Sequence, residues 1–249
     1  MKILTSIIII IFSIKTSFAH KRDFGSAKVL AGNVYVLNIF VSEPGRPWSL
    51  SERKAILKKS EKAYIWLQQR ANNRSVKLKF INENNNMDLV LPYIPNFGER
   101  NASNIIKDAL KLSGFNNKKN FNKWINERHV VDSYFVAIFA NKSGRSFAPF
   151  FSSDEVEGFL VYKSYQGIQE LPSTIAHEAL HAFGALDLYV DPMFAKNKNK
   201  KNEQATKLWP KDIMVQVPFN INEAKIDELT AWRIGLQKNK NPKYDYFEH

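Results

Sequence analysis

The chain contains no cysteine. A disulfide framework, a cysteine–zinc site, a cysteine nucleophile and a lipidated N-terminal cysteine are therefore excluded. It also lacks an apolar run long enough to cross a bilayer. The most hydrophobic stretch, Ile3 to Ile14, falls well short of the ~20 residues a spanning helix needs. No internal repeat is present, and no nucleic-acid-binding motif accompanies the basic charge. Acids are the minority, 24 Asp and Glu against 36 Lys and Arg. What remains is 249 residues that are 44% hydrophobic and 13% aromatic, enough for one sizeable core that folds without crosslinks.

The N-terminus has the layout of a secretory signal. Lys2 precedes the apolar stretch, and Ser17-Phe18-Ala19 offers small residues around a cut. The expected division is a signal peptide over 1–19, cleaved after Ala19, and a single domain over 20–249, placing the folded part outside the cell or in a periplasm. The net charge is +12, and the leader contributes Lys2 and Lys15 with no acid, so the remainder stays near +10. That balance favours anionic surroundings such as a cell surface, or serves solubility alone. Nucleic acid is not an expected partner, and the chain is expected to be a monomer.

Along the chain, Val34 to Val41 is nearly all apolar and β-branched or aromatic, as suits a strand covered on both faces. Ser49 with Glu52 forms a capping box ahead of a helix with a stripe of Ile56, Ala63 and Leu67, ended by Asn72-Asn73. Val76 to Ile81 reads as a half-exposed strand, Asn82 to Asn86 as a polar turn, and Leu89 to Leu91 as a short apolar piece. Ser103 is expected to cap a helix reaching Leu112 and closed by Gly114, with another short helix around Phe121 to Ile125. Tyr134 to Ala140 is a second buried strand, Gly144 to Phe151 a loop, and Gly158 to Tyr162 a short strand after the acids Asp154, Glu155 and Glu157. Those acids lack calcium-loop spacing and read as a solvated turn. Pro172 and Ser173 open a helix whose inward residues are Ile175, Ala176, Ala179, Leu180 and Phe183. Asp191 to Lys211, rich in Lys and Asn without periodicity, is expected to be a mobile surface loop. A last helix is expected from Glu223 to Leu236, followed by a polar tail. The order of elements gives an α/β (α+β) class built on a strand–helix–strand opening.

The helix after Pro172 carries His177-Glu178-Ala179-Leu180-His181. Histidines four apart lie on one helical face, so both imidazoles can converge on one metal ion, while Glu178 reaches its open side rather than binding it. Two ligands plus a general base is the zinc-peptidase arrangement. A third ligand must come from downstream. Gly184 permits the left-handed backbone that bends the chain back, and Asp187 then supplies a carboxylate.

With those residues in view, H-E-A-L-H-A-F-G-A-L-D resembles the H-E-x-x-H-x-x-G-x-x-H pattern of metzincin zinc metallopeptidases, with aspartate in the last place. It is most similar to the snapalysin-like branch, which also ends in aspartate and has a tyrosine two residues on, here Tyr189. Asp212-Ile213-Met214 sits where metzincins place the methionine turn beneath the zinc. The resemblance implies a metzincin-like zincin fold, a twisted mixed sheet with an active-site helix and a C-terminal helix. It implies zinc held by His177, His181 and Asp187, Glu178 as the base in hydrolysis of a protein or peptide, Gly158 to Tyr162 as the edge along which substrate lies, and Val215 to Phe219 as a pocket wall. The chain departs from the pattern of some metzincins by having Gln216 two residues past the methionine, which leaves the oxyanion donor unassigned. Tyr189 is a minor contender for it, and Met214 has a second reading as plain core. His129 reads as structural, and His20 and His249 as solvated.

A rival ligand exists. Asn222-Glu223-Ala224-Lys225-Ile226-Asp227 mimics the N-E-x-x-x-D helix of thermolysin-like gluzincins, which would make Glu223 the third ligand; a helix start with acids in its first turn has the same look. Two further functions compete with a general endopeptidase: a hydrolase of cell-wall peptide crosslinks, suggested by basic charge and export, and a non-catalytic zinc-binding module on the same scaffold.

Overall fold

A computed structural model of the chain describes residues 25–149 and 155–248. The expected signal peptide, His20, Phe150, Phe151, Asp154 and His249 lie outside the described residues.

The core follows from strands that are apolar on both faces. β1 (Gly32–Ser42), β2 (Leu78–Val90), β3 (Ser133–Ser143), β4 (Gly158–Tyr165) and the short β5 (Ile168–Gln169) form one sheet in the order β2-β1-β3-β4-β5. The first four are parallel and β5 is antiparallel to β4, so the sheet is mixed. Alternate residues feed two cores. Val34, Val36, Phe135, Phe139, Phe159 and Val161 join the first, which holds the inward side chains of α1 (Leu50–Asn72) and α4 (Pro172–Ala182). Tyr35, Leu37, Ile39, Val136, Ile138 and Leu160 join the second, under α2 (Ile105–Leu112) and α3 (Lys118–Asn126). Period-two placement on doubly covered strands explains why those segments read as unbroken apolar runs. The protein is thus a mixed α/β fold with helices on both faces of its sheet.

α1 begins with the Ser49–Glu52 capping box, and its last cap is Asn73. Elsewhere the expectations need correction. Asn82 to Asn86 is not a turn: β2 runs through it. As the edge strand it pairs only with β1, so polar residues remain solvated, and the extra residues are absorbed by a register shift opposite Asn38 and Phe40. Asn38, buried in the first core's register, donates to the Glu83 carbonyl at 3.2 Å and to Asn84 Oδ1 at 3.0 Å. Ser103 does not cap α2; it lies in a 3₁₀ turn over Ala102–Asn104, and α2 starts at Ile105 without a side-chain cap.

The Lys/Asn-rich stretch holds a helix, α5 (Lys196–Leu208), rather than a loop throughout. Its buried face consists of Asn202 and Ala205 alone, too narrow to leave an apolar period. Asn202 Nδ2 bonds the Tyr189 carbonyl at 2.6 Å, and Asn199 Nδ2 the Asp191 carbonyl at 2.8 Å, so polar contacts dock it. The last α-helix, α6, is only Glu228–Arg233; Ile221–Glu223 is a 3₁₀ turn, and Ile213 N–H bonds the Lys225 carbonyl at 2.9 Å. The tail does not trail away either. Pro242–Phe247 forms a 3₁₀ segment with Tyr244 and Phe247 buried, their rings 5.8 Å from Trp232 and 5.1 Å from Trp209 respectively. Glu157, expected in a solvated turn, is buried, and its carboxylate accepts the Ser26 N–H at 2.8 Å and the Ala27 N–H.

Candidate metal centre

α4 presents the two histidines. Its first residue is Pro172, whose fixed φ and missing N–H suit that position. The helix ends in a complete left-handed cap. Gly184 has φ +93°, its N–H bonds the His181 carbonyl at 2.9 Å, and the Ala185 N–H reaches back to the Leu180 carbonyl at 3.1 Å. The Arg233 side chain braces the turn from α6, with Nε donating to the Gly184 carbonyl at 2.6 Å and Nη1 paired with Glu248 at 2.9 Å.

The turn brings Asp187 to the rings. Asp187 Oδ1 lies 3.0 Å from His181 Nε2 and 3.3 Å from His177 Nε2, and the two Nε2 atoms are 3.1 Å apart. Each imidazole is oriented through its other nitrogen: His177 Nδ1 bonds the Ile213 carbonyl and His181 Nδ1 the Ala185 carbonyl, both at 2.9 Å. A nitrogen facing a carbonyl must carry the hydrogen, so in the neutral ring Nε2 holds the lone pair. Three acceptors then face one another with no donor among them, an arrangement that a shared cation relieves. Tetrahedral zinc bound at about 2.0–2.1 Å needs its ligand atoms about 3.3 Å apart, close to the spacing seen here. The donor set therefore fits a divalent metal. A proton is the alternative relief. Burial alone would push His181 down, but Asp187 beside it lifts it above the ordinary histidine value. Burial likewise pushes the Asp187 carboxyl up, and the two histidines outweigh it and hold it far below the usual carboxylate range.

The Asp212–Met214 turn builds the floor. Asp212 Oδ1 accepts the Met214 N–H and Oδ2 the Asp227 N–H, each at 2.7 Å, while Val215 N–H closes onto the Asp212 carbonyl at 2.9 Å. The turn acts through backbone: the Ile213 carbonyl orients His177, and the Met214 carbonyl accepts the Leu188 N–H at 2.9 Å. Burial pushes the Asp212 carboxyl up to about 6 despite these hydrogen bonds.

Glu178 is buried beside His177, and its Oε2 has no hydrogen-bond partner among the described residues. Burial pushes its carboxyl up to about 8, an effect His177 opposes and Asp187 reinforces. His177 and Glu178 line two cavities that meet at the cluster. One, of about 440 Å³, is walled by Val215, Gln216 and Val217; the other, of about 390 Å³, by Phe97, Phe147 and Phe194. Phe219, expected in the wall, is 72% exposed.

Arg145 has no motif around it to mark it as a site residue. Its guanidinium Nη2 donates to the Tyr189 hydroxyl at 2.7 Å and pairs with Asp191 at 2.9 Å, while its Cζ stacks 4.4 Å from the Phe97 ring. Tyr189 in turn lies with its ring 6.1 Å from that of His177. The expected edge at Gly158 to Tyr162 is already covered, because Leu160 exchanges both backbone hydrogen bonds with Phe147, and Tyr162 N–H bonds Ser146 Oγ at 3.2 Å. The rival ligand Glu223 is exposed on its 3₁₀ turn, and among the described residues only His177, His181 and Asp187 gather into a group able to hold a metal. His129 pairs with Glu83 at 2.6 Å at the other end of the sheet.

Compared with known proteins, the chain matches no family model and no curated protein. Fold and site define a mixed α/β protein with a largely buried His-His-Asp group that could hold a metal.

Proposed function

We propose that the protein is an exported, zinc-dependent endopeptidase of the metzincin type, acting on protein or peptide, with His177, His181 and Asp187 as ligands. The observation that carries this reading is the meeting of three lone-pair atoms within 3.3 Å beside a buried Glu178, whose Oε2 has no hydrogen-bond partner among the described residues, at the junction of two cavities. The parallel strands, the glycine-terminated helix and the methionine turn under the first histidine support the metzincin-like zincin fold. The basic charge suits work near an anionic cell surface.

Zinc bound there supplies a Lewis acid for the scissile carbonyl and an acidified water. Glu178 takes the proton from the attacking water and returns it to the leaving amine. Tyr189 uses its oxygen to accept from Arg145, so its own hydrogen is free to donate to the developing oxyanion. The two cavities hold the side chains flanking the cut. The decisive experiment is cleavage of casein or a peptide library by the zinc-loaded protein. Activity should vanish with chelator, return with zinc, and fall by about 10²–10⁴-fold in Glu178→Ala. Cleavage that persists in both conditions rejects the reading.

A further inference from the structure

The larger of the two cavities is lined by more acids than cations, Glu170, Glu178 and Asp191 against Arg145, in a molecule whose net charge is positive. Its lining includes Glu170, Thr174, Glu178, Val215, Gln216 and Val217. Glu170, just before α4, is only 5% exposed. Its carboxylate receives uncharged donors alone: Ser146 Oγ at 2.9 Å, the Leu171 N–H at 3.0 Å and the Thr174 hydroxyl. The Lys59 ammonium bonds the Glu170 backbone carbonyl at 2.7 Å instead, and among the described residues no cation forms an ion pair with the Glu170 carboxylate. Arg145, the cation in the same cavity, is already matched by Asp191.

Two carboxyls, Glu170 and Glu178, therefore line one space of about 440 Å³ with no cation in direct contact with the Glu170 carboxylate, which feels Lys59 only at a distance, and Glu178 Oε2 accepts no hydrogen bond among the described residues. A buried carboxylate held only by neutral groups is costly unless a cation joins it. In a chain with twelve surplus positive charges, composition does not produce such a cavity. Its remaining wall is suited to an amphipathic guest, since Val215 and Val217 offer apolar surface to a methylene stem whose charged tip lies at the acids.

We propose that this cavity takes the positively charged side chain of a peptide, a lysine or other long aliphatic amine or an arginine next to the scissile bond, and that Glu170 is the residue that selects it. The inference rests on the peptidase reading and names its substrate class: cationic peptides, cut beside a basic residue.

The test uses peptides that differ only in the residue following the cut, lysine, Nε-acetyl-lysine, norleucine or glutamate, with zinc-loaded wild type and Glu170→Gln. In the wild type, kcat/KM for lysine should exceed that for norleucine and acetyl-lysine by about tenfold or more, the discrimination a charge-assisted hydrogen bond supplies. In Glu170→Gln that ratio should collapse toward unity. Acetyl-lysine keeps the shape and removes the charge, so the wild-type series decides even if the variant does not fold. Equal rates in the wild type, or an unchanged ratio in a folded Glu170→Gln, overturn the inference, leaving Glu170 as a helix-start residue, while the cutting itself still supports a peptidase. The same peptides are titrated by fluorescence anisotropy against chelated wild type and chelated Glu170→Gln. Lysine-selective binding that needs Glu170, with no cutting by the wild type, supports the inference and overturns the peptidase; neither binding nor cutting overturns both.

Discussion

Leu188 and Met214 are joined by a backbone hydrogen bond of 2.9 Å, which ties the chain returning from the glycine turn to the turn that carries the methionine. Since the contact uses the Met214 carbonyl and not its thioether, Met214→Leu, a volume-conserving exchange in a fully buried position, should cost less than about 1.5 kcal/mol. Zinc affinity by chelator competition should barely move; a large loss would mean that sulfur, not backbone, matters.

Gly184 is the opposite case. At φ +93° a side chain is strained, and Gly184→Ala should destabilise the protein by about 1–2 kcal/mol. Because that turn also supplies Asp187 and the Ala185 carbonyl that orients His181, metal affinity should fall with it. Urea unfolding and metal titration, run on one preparation, would show the two effects together. A destabilised variant with intact affinity would detach the turn from the site.

Asp187→Ala should weaken zinc binding by more than about 100-fold, beyond what loss of an outer partner costs. Glu223→Ala should leave affinity unchanged, because Glu223 is exposed and outside the group. Metal content after dialysis distinguishes them, and a reversal of the two results would restore the rival ligand.

Protons should compete with the metal. Asp187 raises His181 above its ordinary value against the effect of burial, so the protonated ring persists to higher pH than a free histidine. Affinity should begin to fall while pH is still above about 6.5 and go on falling as pH drops. Chelator competition over a pH series reads this directly, and a flat profile down to about pH 5 would contradict it.

Asp212 should leave its own mark on stability. Burial raises its carboxyl from 3.8 to about 6. A raised carboxyl contributes stability fully present below the unfolded value and lost as pH rises through the folded one. Between about pH 4 and pH 7 the chelated wild type should therefore lose about 2 kcal/mol relative to Asp212→Asn. Unfolding curves of both proteins at the two pH values test the sign, and parallel behaviour would show that Asp212 titrates normally.

The parts of this architecture legible in the sequence were those whose physics is local. Val34–Val41 and Tyr134–Ala140 read as strands because both faces are buried; the Ser49–Glu52 box and Gly184 mark helix ends through their own backbone needs. The spacing of His177, His181 and Asp187 encodes its convergence within one helical turn and one bend. Hidden features depend on distant partners. β2 looked interrupted because an edge strand tolerates Asn82–Asn86. α5 has almost no apolar face, and its docking rests on Asn199 and Asn202. Arg145 and Glu170 enter the cleft from segments that carry no motif, 32 and 7 residues before His177.

Arg233 holds the Gly184 carbonyl with one side of its guanidinium and Glu248 with the other. Glu248 is thereby two contacts from the bend that delivers the aspartate. Removing or crowding the segment around Glu248 would act on the His-His-Asp group through Arg233 and the Gly184 bend. A preparation shortened there could differ in zinc retention while its sheet stays unaltered.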